Sequence, residues 1–99
     1  MTQDFVPSGR VVVTGLGAVA PLGTGADVFW PRMLAGENAV GPVTHFDVTD
    51  YSTRIAAEVK DFNAADWLDP KDARRMDRVL AFTIAASTMA LKDANFPLD

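Results

Sequence analysis

The segment from Arg10 to Gly23, RVVVTGLGAVAPLG, constrains the fold more than any other stretch of the chain. Three consecutive valines, Val11 to Val13, are followed by Leu16, Ala18, Val19 and Ala20. Continuous apolar character of this kind describes a strand covered on both faces, as in a parallel or mixed sheet between helix layers. Gly15 and Gly17 admit backbone angles or close approaches that a side chain would block. The spacing Gly15-x-Gly17-x-x-Ala20 also satisfies the G-x-G-x-x-A form of a dinucleotide-binding turn. That chemistry requires a helix to begin inside the motif, so that its first amides meet a pyrophosphate. Pro21, Gly23 and Gly25 oppose a helix there, and no second strand ending in an acidic residue follows about 20 positions on. The glycines are read instead as shaping a turn.

A length of 99 residues allows one small domain or a piece of a larger one. With 48% apolar and 22% charged residues, the composition is that of a globular chain. No apolar run approaches the roughly 18 residues of a membrane span. The opening MTQDFVPSGR lacks the basic and apolar regions of a signal peptide and reads as a flexible leader, residues 1–9. A cytoplasmic location is the simplest expectation for such a chain. There is no cysteine, which removes disulfides, cysteine metal sites and a cysteine nucleophile from these residues. The net charge of -4 argues against general nucleic-acid binding.

A helix is expected from Gly25 to about Ala35, with Thr24 as N-cap, Asp27 completing a capping box and Gly36 as the stop. Pro31 inside it predicts a kink or a tightened turn. Glu37 to Ser52 reads as loop, anchored at Phe46-Asp47, and Arg54 to Val59 as a second strand. Asn63 to Leu68 is expected to form one helical turn. Asp69 then caps a short helix that has Pro70 at its first position, Asp72 at its third, and its end near Met76. The strongest helix spans about Asp77 to Ala94. Leu80, Thr83, Ile84, Ser87 and Leu91 lie near one face, with Val79, Phe82, Ala86, Met89 and Ala90 on a flank, a spread that predicts burial on most sides. Ala81, Ala85, Ala86, Ala90 and Ala94 would let a neighbouring backbone come close. Asn95 suits a left-handed residue at its end.

No P-loop, paired-histidine metal motif or nucleophile elbow occurs, and no catalytic residue, metal site or cofactor is assigned. His45, the single histidine, reads as a loop residue. Asp47, Asp50, Glu58, Asp61 and Asp66 read as solvated carboxylates, and Trp30 and Trp67 as packing anchors. The basic cluster is more informative. Pro70 to Arg78 holds Lys71, Arg74, Arg75 and Arg78 against Asp72 and Asp77. At helical offsets of three and four these cations would share one side of a surface helix. They could form a solvated face, or steer an acidic partner onto an otherwise acidic protein.

Several elements together resemble the N-terminus of the β-ketoacyl-(acyl-carrier-protein) synthases, in their elongating type II class. They are Arg10 to Gly17, Pro21-Leu-Gly23, Trp30 with Leu34-Ala-Gly36, Phe46-Asp47, Ile55 to Asn63, Lys71 to Asp77, and Ala85-Ala86 to Asp93-Ala94. The resemblance covers about residues 9 to 96. Pro31, Pro70 and Asn95 depart from the family pattern.

The resemblance implies an α/β, thiolase-like fold of five layers (α-β-α-β-α), of which residues 10–99 would supply only the first part of the N-terminal half. It also implies a homodimer and a decarboxylating Claisen condensation that elongates fatty acids. In that reaction a cysteine takes an acyl group from a carrier thioester, and two histidines help to activate malonyl-carrier. Neither the cysteine nor the histidine pair is among these residues; the family places them downstream of Asp99. Lys71, Arg74 and Arg75 match family positions that contact the acidic acyl carrier protein. Arg78 joins them on helical geometry alone. No nucleic acid and no membrane are implied as partners. The alternative is a non-catalytic product that binds carrier protein or pairs with a full-length synthase subunit. On either reading, the valine strand is expected to lack sheet neighbours within these residues, so that the chain alone would be insoluble or molten.

Overall fold

The computed structural model describes residues 9–97. The expected leader lies outside the described residues except for Gly9, which is exposed. Val19–Ala20 (β1) and Gly23–Thr24 (β2) pair antiparallel across Pro21-Leu22, with Val19 opposite Thr24 and Ala20 opposite Gly23. Helix α1 follows at Ala26–Leu34. Val40–Pro42 (β3) pairs antiparallel with Ile55–Ala57 (β4), Gly41 lying opposite Ala56. A 3-10 turn at Ala64–Asp66 leads into α2, Pro70–Arg75, and α3, Arg78–Asp93.

Most helix boundaries match the sequence signals. Asp69 accepts the Lys71 N–H at 2.9 Å, and Pro70 occupies the first turn, where its missing N–H costs nothing. Asn63 caps the 3-10 turn by accepting the Ala65 N–H at 3.1 Å. Asn95 closes α3 with φ 57, the left-handed conformation this side chain tolerates. The capping box at α1 is a correction. Gly25, with φ 102, is the N-cap, and no side chain caps it. Thr24 Oγ1 turns away and donates to the Asp61 carbonyl at 3.4 Å. Asp27 stays in the first turn, where it complements the helix dipole. Pro31 sits inside α1 without ending it.

Two further expectations need correction. Residues 37–52 are not all loop, because Val40–Pro42 pairs with β4. Nor is α3 buried on most sides, although its alanines do admit a neighbouring backbone as expected. Ala81 and Ala85 are buried, whereas Leu80 is 52% exposed. Small side chains win here because the glycine segment passes directly over them. A Cβ on Gly17 would run into the Ala86 carbonyl oxygen and lie 2.9 Å from the Met89 Cβ. A Cβ on Gly15 would meet the Ala90 carbonyl oxygen and lie 2.8 Å from the Ala94 Cβ. Glycine on one partner and alanine on the other permit this backbone-on-helix contact.

The valine run lacks sheet neighbours as expected, and the covered strand read from its composition is not formed among the described residues. Val11, Val12 and Val13 belong to no sheet among the described residues and are 89%, 69% and 79% exposed. Ala81 and Ala85 are the only buried apolar residues among those described. The radius of gyration is 17.9 Å, against about 13 Å for a compact domain of this length. Trp30, expected to anchor packing, is instead 54% exposed. The helices and hairpins are therefore formed, while the sheet that should cover them is not.

Candidate functional site

The basic cluster divides into two parts. Lys71, Arg74 and Arg75 are exposed on α2, and offsets of three and four from Lys71 place them on one side of it. Arg74 and Arg75 lie in the last turn, where the helix dipole favours positive charge. None of the three forms a salt bridge with another described residue. Arg78 does not continue that helix. Met76 is extended (φ -103, ψ 137) and breaks the chain between α2 and α3, so the expected single four-cation face is not formed. Arg78 starts α3 instead. Its Nη2 donates to the Val59 carbonyl at 2.8 Å, and its guanidinium lies 5.0 Å from the Phe82 ring centroid.

The segment from Glu58 to Phe62 joins the parts of the structure. Arg32 donates to the Leu22 carbonyl at 2.7 Å and approaches the Asp61 carboxylate at 3.9 Å. Phe62 meets Phe82 edge-on, with centroids 4.9 Å apart. Glu58, expected to be a solvated carboxylate, has a side chain only 9% exposed. It accepts the Thr44 hydroxyl at 2.8 Å, the Thr44 N–H at 3.1 Å and the His45 N–H at 3.2 Å; the His45 ring lies 3.7 Å away. Its burial alone would raise the carboxyl pKa. The Thr44 and His45 hydrogen bonds and the His45 charge outweigh that and hold it below the ordinary glutamate value. No local pattern signals this cluster, because Glu58 and Thr44 are 14 residues apart and meet only once β3 and β4 pair.

The lowered pKa has a direct consequence. Glu58 contributes stability that is fully present above the ordinary glutamate range and is lost as pH falls through its lowered folded value. Glu58→Gln is expected to speed hydrogen exchange at the Thr44 and His45 amides at neutral pH, and to remove the acid-dependent part of their protection. Unchanged exchange at both amides would contradict the role given to this carboxylate.

The glycine motif has no cofactor geometry. The β1–β2 hairpin separates Gly17 from the start of α1 at Ala26, so no helix begins inside the motif. The Leu16 amide, which a pyrophosphate would need, is donated to the Asp93 carboxylate at 2.9 Å. A groove nearby is lined by Leu16, Asp27, Trp67, Met89 and Lys92. The Lys92 ammonium sits over the Trp67 ring, 5.8 Å from its centroid. Among the described residues no group of His, Cys, Asp or Glu could hold a metal ion, and no helix is long and apolar enough to cross a membrane.

Residues 8–99 match the family model of the β-ketoacyl synthase N-terminal domain. The chain belongs to the β-ketoacyl synthase family.

It is 46% identical over 90 residues to 3-oxoacyl-[acyl-carrier-protein] synthase 2 of Synechocystis, covering 91% of this chain and 22% of that protein. The protein of the same name from Rhizobium meliloti is 44% identical, with 88% of this chain and 22% of the relative covered. Among solved structures, the ishigamide ketosynthase/chain length factor superposes with a TM-score of 0.75 at 31% identity, over 87% of this chain and 21% of that one. A β-ketoacyl synthase from Burkholderia phymatum gives 0.69 at 38% identity, over 91% and 22%. The chain thus has the opening part of the thiolase-like ketosynthase fold, and spans about a fifth of the length of the relatives it matches.

Proposed function

We propose that the chain forms the N-terminal segment of a 3-oxoacyl-[acyl-carrier-protein] synthase that elongates fatty acids by decarboxylative condensation with malonyl-carrier. Its own contribution is architectural, together with part of the surface that receives the acyl carrier protein. The 41–46% identity to synthases of that name, held along nearly the whole chain, supports the reading. These 99 residues hold no cysteine and a single histidine, so they lack a thiolate nucleophile and a histidine pair. They are expected to be inactive alone, and the full-length polypeptide active. A condensation assay with acyl- and malonyl-carrier tests both. Turnover by residues 1–99 in isolation would overturn the division of labour.

The carrier-facing surface is proposed to be α2. Its three cations lack intramolecular ion pairs among the described residues and project from a helix too short to serve as core packing. A carrier protein that is acidic would be steered to them by charge. The same reading carries a cytoplasmic homodimer, which light scattering on the full-length protein tests. The second reading, a non-catalytic binder of carrier protein, predicts that residues 1–99 bind it stably as an isolated chain.

A further inference from the structure

We propose that Arg78 is a positioning residue for the α2 surface rather than a member of it. The inference rests on the carrier-docking reading of Lys71, Arg74 and Arg75. Helix α2 and helix α3 both pack on the 3-10 turn at Ala64–Asp66, and the extended Met76-Asp77 link joins them. The placement of α2 therefore depends on where that 3-10 turn is held. Arg78 holds the segment just before it. The guanidinium lies over the Phe82 ring, 5.0 Å from its centroid, while its Nη2 donates to the Val59 carbonyl at 2.8 Å. Phe82 in turn carries Phe62, the residue next to the Asn63 cap of the 3-10 turn.

A chain of direct contacts thus runs from Arg78 through Val59 and Phe62 to the turn on which α2 rests. The interaction uses two properties of arginine together, a directed N–H and a flat cationic face. A lysine ammonium offers no planar face to stack. Arg78 remains exposed, so its replacement empties no core.

The test compares Arg78→Gln and Arg78→Lys in the full-length protein, with the double reversal Arg74→Glu, Arg75→Glu as reference. Both Arg78 variants are expected to raise KM for acyl carrier protein substrates about three- to ten-fold, lysine about as much as glutamine. The dependence of KM on salt should keep its wild-type slope, because no intermolecular ion pair is lost. Amide hydrogen exchange in the free protein should accelerate several-fold across residues 59–76. If Arg78→Lys behaves as wild type while Arg78→Gln flattens the salt dependence, Arg78 is itself a docking contact and the proposal is overturned. Wild-type exchange over 59–76 in both variants would also overturn it. A silent Arg74/Arg75 reversal defeats the docking reading instead; the exchange data still decide whether Arg78 clamps the turn.

Discussion

Gly17→Ala is expected to destabilise the full-length protein by about 3 kcal/mol or more, and to lower its thermal midpoint by roughly 5–10 °C. The added methyl would be driven into the Ala86 carbonyl oxygen, with the Ala90 amide nitrogen at 2.8 Å and the Met89 Cβ at 2.9 Å. Two of these neighbours are backbone atoms of a 16-residue helix, which cannot turn aside as a flexible side chain could. Relief requires the strand and α3 to separate, and that would strip the cover from Ala81 and Ala85. Gly41→Ala is the control. A Cβ there meets nothing within 4 Å, and its effect should stay within about 0.5 kcal/mol. Equal melting curves for the two variants would show that the glycine motif does not serve close packing.

Reversing Arg74 and Arg75 to glutamate should raise KM for carrier substrates about 10- to 100-fold at low salt, because an attraction becomes a like-charge repulsion. Both side chains are exposed at the C-terminal turn of α2, and neither is tied to a described carboxylate. Their removal therefore breaks no internal ion pair, and thermal stability should change little. Added salt should narrow the difference from wild type, since exposed charges are screened over about 10 Å at 0.1 M. A reversal that leaves KM unchanged at low salt would remove the carrier-docking role from α2.

The sequence revealed local structure better than packing. Asp69-Pro70, Asn63 and Asn95 state their roles in their own chemistry, and each is found where capping rules place it. The two halves of the central contact were also visible. Glycines at 15 and 17 allow close approach, and alanines along α3 allow a neighbouring backbone in. Nothing local showed that each was the other's partner, and the wide apolar spread of α3 pointed to burial on most sides where only Ala81 and Ala85 are buried among its described residues. The Glu58 cluster and the Arg78 clamp were hidden for the same reason, since both join residues 13 to 19 positions apart. The division of the basic cluster lies at the extended Met76-Asp77 link, a break that the helix signals place near Met76 while the cation spacing reads across it. Family membership was legible because many weak matches recur in order along nearly the whole chain.

The segment RVVVTGLG is thus a structural segment whose glycines fit the alanines of α3, and whose valines form no strand and lie exposed among the described residues. A chain that orders about 90 residues must offset on the order of 1–2 kcal/mol of backbone entropy for each. Two buried alanines cannot do so. Differential scanning calorimetry of residues 1–99 tests this most directly. The expected trace has no cooperative endotherm. A sharp, reversible transition approaching the roughly 60–80 kcal/mol of a complete 100-residue domain would contradict the account.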